Sequence, residues 1–303
     1  MQAQISENKL IELFIEVDDL AIAFQSYQNN HQVGKMRKPT RTPALTRSEI
    51  CTILVAYYLS GYKCFEYFYR HQILSQYRSY FPKAPSYSRF VALIERAYPL
   101  VYVWSLHTCL KASRSGLYFI DSKRIPVCHI KRQHSHKVFA HTARKGKSSL
   151  GWFYGFKLHL VINAYGQIVN YSFTTGNVAD NNGQLLQKLL KGLEGLCVGD
   201  KGYHTRLFDY FYSQGLQLLV KPKKKSIPKA ISLLAHQLYL KKRALIESVN
   251  ELLISICNVE HTRHRKVENA FINMMASLIA YQSLEQKPCI FVANTQHPYA
   301  MAA

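Results

Sequence analysis

The sequence predicts an α/β domain, a sheet flanked by helices, preceded by an all-helical N-terminal region. Two short apolar runs, residues 117–120 and 196–199, each deliver an acid, Asp121 and Asp200, as buried strands do at their ends. Between them Trp152, Tyr154, Phe156, Leu158, Leu160 and Ile162 alternate with other residues over a run long enough for one extended strand. Before residue 112 the apolar residues recur instead at helical three- and four-residue steps. With 303 residues, 48% of them hydrophobic, the chain can bury one large or two ordinary cores. The expected division is a helical domain over 1–112, an α/β domain over 113–285 and a C-terminal tail over 286–303.

In chain order, residues 5–27 carry Leu10, Phe14, Val17, Ala21 and Phe24 at the spacing of one helix face, and Glu12, Glu16, Asp18 and Asp19 read as its solvated or partner-facing side. Residues 29–43 are polar, basic and punctuated by proline, hence a loop able to touch phosphates. Thr46 and Glu49 stand at capping-box spacing: the hydroxyl takes an orphan amide at a helix start, and the carboxylate reaches back to the threonine amide. The helix after this cap carries Ile50, Ile53, Leu54, Tyr57 and Tyr58, with Phe65, Tyr67 and Phe68 beyond it. A proline-rich turn, FPKAPS, leads to another helix, YSRFVALIERA. Arg70, Arg78 and Arg89 are then available to phosphates. Helices joined by turns can place a recognition helix on DNA, although helix packing alone gives the same pattern.

From Gly116 the texture is α/β. Tyr165 and Gly166 supply a turn between the alternating run and a second strand at 167–173, so the pair reads as a hairpin beside the strand ending at Asp121, with one covered face. The loop TTGNVADN, a helix over 183–193, the strand ending at Asp200, a helix over 205–214 and a strand at Leu216–Val220 come next. A lysine-dense loop with Lys223, Lys224 and Lys225 and a long helix over about 235–257 complete the block. No internal repeat is present.

Charge narrows the partner. Lys plus Arg number 39 against 18 Asp plus Glu, a formal net charge of +21, which suits a polyanion; nucleic acid fits best, because cations displace condensed counterions from phosphates and interleaved aromatics stack on bases. The seven cysteines are scattered without a C-x-x-C pair, so neither a disulfide framework nor a zinc ribbon is indicated and a reducing cytoplasm is expected. The first residues, MQAQISENKL, lack the apolar core of a signal peptide, and no run reaches the roughly 18 apolar residues of a membrane span.

Asp121 is the only carboxylate between Ala97 and Ala179, in a segment crowded with Lys, Arg and His. Acids at the ends of two strands and a third on a later helix converge when the strands are neighbours, and such oxygens suit Mg²⁺, a pair of which activates an attacking oxygen and stabilises a leaving one in phosphoryl transfer. The third acid is Glu247 or Glu251, one turn apart with Arg243 on the same side, over an apolar stripe of Leu245, Val249, Leu252 and Ile256. Asp180 competes, but its place before a helical run suits a turn or N-cap. None of these carboxylates needs an unusual pKa. Cys128, His129, His134, His136 and His141 invite a zinc reading, yet match no compact zinc spacing, and a basic loop beside phosphates accounts for the histidines. Gly199 and Gly202 read as a tight strand-end turn that puts Lys201 and Tyr203 beside substrate. His261, Arg263, His264 and Arg265 form a further basic segment.

The segments IDSKRIPVC, GWFYGFKLHLVIN, FTTGNVADN, GDKGY, KRALIESVNELL and NVEHTRHR, with VDDL, LTRSEI and SYSRF in the N-terminal half, resemble the transposases of small bacterial insertion sequences, in particular the family numbered nine hundred and eighty-two. The resemblance covers nearly the whole chain. It implies a ribonuclease-H-like catalytic domain of the DDE type, in which Asp121, Asp200 and Glu247 hold two divalent ions, Mg²⁺ with Mn²⁺ able to substitute, Asp121 bridging both. Arg243, four residues before Glu247, follows the pattern of related transposases. Leu240 and Ile254 stand where some relatives carry tyrosine and lysine, which keeps Glu251 open as the third ligand.

The expected partners are double-stranded DNA, as terminal inverted repeats and as target, and a second copy of the chain, joined on DNA if not before. The residues expected at DNA are Lys123, Arg124, His136, Lys137, Lys201, Tyr203, Lys223, Lys224, Lys225, Arg243, Arg263 and Arg265, and the expected location is the nucleoid of a bacterial cytoplasm. Two rivals share these features: a structure-specific nuclease on the same fold, and a catalytically silent DNA-binding repressor, against which the intact acids argue.

Overall fold

A computed structural model describes residues 5–31, 43–220, 239–260 and 264–290. They fall into two compact units, Met1–Thr108 with Leu252–Leu284, and Cys109–Glu251 with Glu285–Ala303.

The first unit is helical. It comprises α1 (Glu7–His31), α2 (Arg47–Leu59), α3 (Phe65–Phe68), a π-helical stretch Tyr69–Gln76, α4 (Tyr87–Leu93), a 3₁₀ turn Ile94–Ala97 and most of α5 (Tyr98–Lys111). The capping box forms as its spacing predicts, Glu49 N donating to Thr46 Oγ1 at 3.1 Å and Thr46 N to Glu49 Oε2 at 2.6 Å. α2 is buried along almost all its length and packs on α1 and on a late helix, Val267–Gln282. Within α1 only Leu10, Leu13 and Val17 are buried, so the expected face holds near its start and Phe14, Ala21 and Phe24 stay partly open. The late helix is buried on nearly every side, with Asn269, Asn273 and Ser277 along one of them, and Tyr58 Oη donates to its Asn273 Oδ1 at 2.9 Å. Residues 252–284 thus join the helical unit rather than the α/β unit expected from chain order, because the neighbours that bury this helix include α2.

The second unit is built on one sheet: β1 (Leu117–Cys128), β2 (Arg144–Ser148), β3 (Gly151–Asn163), β4 (Ile168–Thr175), β5 (Gly195–Gly199) and β6 (Leu216–Val220). The order is β2-β3-β1-β5-β6, and β4 also lies on β3: β2 pairs with its Gly151–Gly155 part and β4 with Phe156–Ile162. β1 is antiparallel to β3 and parallel to β5, which is parallel to β6. The helices are α6 (Gly183–Leu190), α7 (Phe208–Ser213) and the first turns of α8 (Ala244–Ser255); the late helix of the other unit is α9 (Val267–Gln282).

The predicted hairpin of β3 and β4 is present, its turn held by Asn163 Oδ1, which accepts from Tyr165 N and Gln167 N at 3.0 Å each. Leu185, Leu186, Leu189 and Leu190 of α6 and Phe211 of α7 pack with Tyr118, Ile120, Val161 and Val169 of the sheet. β3 departs from the one-faced expectation, since from Phe153 to Asn163 every residue is buried. Lys157 and His159, on its second face, are buried with polar partners, as a mixed sheet covered on both faces requires. Gly155 marks where β3 passes the irregularity in β1: a Cβ there would stand 2.1 Å from the Ile125 carbonyl oxygen. No described helix is long and apolar enough to cross a membrane.

Candidate active site

Parallel pairing ends with Ile120 opposite Gly199, so Asp121 and Asp200 follow side by side with backbones roughly 5 Å apart; Asp200 stands at the end of β5, whereas Asp121 lies within β1, which runs on to Cys128 against β3, and not at a strand end as the sequence suggested. The turn after Asp200 depends on Gly199. A Cβ at this position would meet Ile120 Cγ2 at 3.0 Å and Tyr203 Cβ at 3.3 Å, so the missing side chain is what lets the Lys201–Tyr203 turn fold back beneath the strand end. Asp200 caps that turn: Lys201 N donates to its Oδ1 at 2.7 Å and Tyr203 N to its carbonyl at 3.0 Å.

Asp121 is held by α8. Asn250 Nδ2 donates to Asp121 Oδ2 at 3.0 Å, and Arg243 lies between the two acids, its Nη1 4.0 Å from Asp121 Oδ1 and its Nη2 2.5 Å from Glu247 Oε1. The Asp121 side chain keeps 23% of its surface and Glu247 keeps 58%. Burial pushes the Asp121 carboxyl up to about 6; the Arg243 guanidinium and the Ser122 amide pull against that shift, and the negative charges of Asp180 and Asp200 add to it. The expectation of ordinary carboxylates thus fails at Asp121.

The buried side of α8 is Leu245, Ile246, Val249 and Leu253, whereas Ile256 is exposed and Leu252 half-buried, so the stripe is rotated from the one expected. Asn250, 6% exposed, lies on the rotated side, and its Oδ1 accepts no hydrogen bond among the described residues. Sequence reasoning missed this residue. Its spacing from Ile246 and Leu253, four and three residues, was the available signal.

Asp180 is not the helix cap, a role that Asn182 takes by accepting from Leu185 N at 3.0 Å. Lys157 Nζ instead donates to Asp180 Oδ1 and to the Val178 carbonyl, both at 2.9 Å, and the pair is largely buried. His159, fully buried with Nε2 2.9 Å from Thr174 Oγ1, is lowered to about 4, mostly by burial, so its ring is neutral at neutral pH. Lys157 and His159 were legible only as polar letters within an apolar strand.

The basic residues divide. Lys123 and Arg124 are half-buried on β1; Lys137 and Lys201 are exposed, and His136 is half-buried and stacks on Phe139. Tyr203, expected beside DNA, is 1% exposed, because its ring fills the space under Gly199. Arg243 faces acids. Arg265 is exposed in the helical unit, Glu251 is exposed on α8, and Lys223, Lys224, Lys225 and Arg263 lie outside the described residues. In the Cys/His loop, His129 accepts from Lys131 N and His136 from Phe139 N, local turn bonds that account for both rings without zinc.

Asp121, Asp200 and Glu247 offer hard oxygen donors that suit a divalent cation in kind. They are not gathered around one point: among the described residues no three His, Cys, Asp or Glu side chains stand close enough to share a metal ion, and Glu247 spends its carboxylate on Arg243.

Antiparallel β4, β3 and β1 joined to parallel β5 and β6, helices around them, and one acid within β1 beside another at the end of β5 define a ribonuclease-H-like domain. Residues 111–267, just over half of the chain, match the family model of the transposase DDE domain, and the chain belongs to that family. No curated protein matches it. Among solved structures, the Mos1 strand transfer complex is similar at 15% identity over 86% of this chain and 85% of that one, with a TM-score of 0.24. The pre-cleavage Mos1 transpososome shows 14% identity over 86% and 83%, TM-score 0.25. The Mos1 transposase paired-end complex with left transposon end shows 15% over 86% and 85%, TM-score 0.22. At such scores these likenesses add nothing to the fold described above, and the family rests on the family model.

Proposed function

We propose that this transposase hydrolyses a phosphodiester bond at each end of a bacterial insertion sequence and then directs the freed 3′-OH against target DNA. The observation that carries the reading is that Asp121, within β1, and Asp200, at the end of β5, stand side by side where the parallel pairing of the two strands ends, with Arg243 joining Asp121 to Glu247. Two Mg²⁺ ions, or Mn²⁺, held by Asp121, Asp200 and Glu247 would lower the pKa of the attacking oxygen and offset charge on the leaving one. The chain's own residues do the rest. Asp121 and Asp200 are fixed by the sheet, so two of the three carboxylates keep their spacing; Glu247 projects from a helix, where Arg243 orients it. Water and then the 3′-OH are in-line nucleophiles at one site, and catalysis is mostly positioning and charge stabilisation.

The particular insertion-sequence family, numbered nine hundred and eighty-two, rests on the sequence resemblance, and so does the bacterial nucleoid as the place of action. DNA as partner is supported by the family and by the net charge of +21. A homodimer is supported by the need to hold two DNA ends and by Ile11, Ile15 and Ile22, exposed along one side of α1; light scattering that finds a monomer both alone and on end DNA removes it.

The test is Mg²⁺- or Mn²⁺-dependent cleavage and joining on labelled DNA carrying the repeats that flank the gene, with wild type, Asp200→Ala, Glu247→Gln and Glu251→Gln. Wild type and Glu251→Gln should yield specific 3′-OH ends and joined products, while the other two bind and do neither. Cleavage by Asp200→Ala near the wild-type rate sinks the assignment. Binding without cleavage by wild type means a silent repressor, and cleavage of branched DNA regardless of end sequence means a nuclease.

A further inference from the structure

The β2–β3 hairpin carries a surface that the acids at Asp121 and Asp200 do not use. β2 pairs only with β3, and the register sets Lys147 opposite Trp152 and Lys145 opposite Tyr154, so these four side chains share one face of the hairpin. The opposite face is closed: Phe153 is buried, and a Cβ at Gly146 would stand 2.1 Å from the Gly176 carbonyl oxygen. On the first face Trp152 is 55% exposed, with Lys145 Nζ 4.5 Å and Lys147 Nζ 5.6 Å from its ring centroid, and Leu150 at the turn is 72% exposed.

Neither lysine has a carboxylate partner among the described residues, and the chain holds no Asp or Glu from Ser122 to Ala179. An exposed indole between two unpaired ammonium groups has the chemistry of a stacking platform with phosphate contacts on its flanks. An aromatic face stacks only on a base that has left the duplex, so the complementary partner is an unpaired nucleotide rather than an intact helix.

Building on the reading of this chain as a DNA transposase, we propose that the β2–β3 hairpin binds an unpaired nucleotide of a DNA strand, its base stacked on Trp152 and its flanking phosphates met by Lys145 and Lys147. Trp152 precedes Leu160, the partner of Asp121, by eight positions on β3, roughly 27 Å along the strand. The contact therefore lies away from the reacting phosphate and serves to hold a frayed or displaced strand.

The chain has two tryptophans, and Trp104 is fully buried, so a change in intrinsic fluorescence on adding DNA reports Trp152. The full-length protein is titrated with a blunt duplex, the same duplex with a short single-stranded overhang, and the single strand alone. The overhang and the single strand should quench the fluorescence, and the blunt duplex should not. Trp152→Ala should weaken binding to the overhang at least about fivefold and leave blunt-duplex affinity within about twofold, with Trp152→Phe retaining most of the preference. Replacing Lys145 and Lys147 together by glutamine should flatten the salt dependence by about two counterions on the overhang DNA. Quenching in the wild type stands as a readout even if a variant fails to fold. The hairpin proposal alone fails if DNA binds without quenching, if blunt duplex quenches equally, or if Trp152→Ala weakens all three DNAs alike; absence of binding to any DNA removes the transposase reading with it.

Discussion

Replacing Asn250 by leucine isolates what its amide does for Asp121. The two side chains share a branched shape with the same number of heavy atoms and leucine favours a helix, so α8 keeps its form; what is lost is the donor 3.0 Å from Asp121 Oδ2. A hydrogen bond to a charged group is worth about 1.5–3 kcal/mol, equivalent to roughly one to two pKa units. The Asp121 carboxyl is already raised to about 6 by burial, against Arg243 and the Ser122 amide, and the Asn250 amide donates to the same carboxylate and favours its charged form, so losing it moves the titration further up. At neutral pH and limiting Mg²⁺, where protons and metal compete for the carboxylate, single-turnover cleavage should fall about 10- to 100-fold. It should recover to within a few-fold of wild type as the pH is raised by about two units. Leucine also removes an Oδ1 that accepts no hydrogen bond among the described residues, which offsets part of the lost donor to Asp121, so the melting temperature should fall only modestly. A cleavage–pH profile for Asn250→Leu that overlays the wild-type profile refutes the assignment of Asn250 as a positioning residue.

Lys157→Met leaves Asp180 without its ammonium partner in a largely buried site, and denaturant unfolding should show a loss of about 3–5 kcal/mol, most of it restored by adding Asp180→Asn; a neutral single variant means that water solvates the pair. His159 makes stability depend on pH. Its folded-state pKa, about 4, lies below the ordinary 6.5, so the unfolded chain takes up the proton first and the contribution, complete above pH 6.5, is lost as pH falls towards 4. The fold should lose about 2 kcal/mol from this residue between pH 7.5 and 5. Asp121 acts in the opposite sense, since a raised carboxyl pKa removes stability as pH rises from 3.8 towards 6, so the informative quantity is the difference between wild type and His159→Gln in thermal melts across that range. Parallel pH profiles for the two proteins would show that His159 is protonated in the fold.

Most of the sheet was legible because its strands announce themselves locally. The runs before Asp121 and Asp200 are apolar and end in a charge, the β3–β4 turn has its glycine, and Thr46 with Glu49 marks the start of α2. What could not be read depended on partners far away in the chain. β2 is a strand only because Gly146 allows it to lie against Gly176, and its own letters, RKGKS, give no apolar period. α9 is apolar on most of its surface apart from the line Asn269, Asn273 and Ser277, and nothing in such a pattern says which layer will cover it; it packs on α2.

At the acids, Asp121, Asp200 and Glu247 were visible as charges after apolar runs and on a helix face, but their setting was not: β1 runs on past Asp121 to Cys128, because the residues after it still pair with β3. Apolar letters at 245, 249, 252 and 256 make a regular four-three-four stripe, and a sequence reading accepts it. The fold chooses Leu245, Ile246, Val249 and Leu253 instead, with Asn250 in the middle, because a buried amide is tolerated where a carboxylate needs a donor. The rotation has a chemical consequence. With Asn250 turned inward, Arg243 and Glu247 fall along the edge of the buried side, where one guanidinium reaches both Asp121 and Glu247. The opposing shifts on Asp121 come from the same placement: the burial that raises its pKa is accompanied by the arginine that lowers it. Changing Arg243 to remove its charge would therefore disturb the sheet acid and the helix acid together, whereas Glu251→Gln, on the exposed side, should disturb neither.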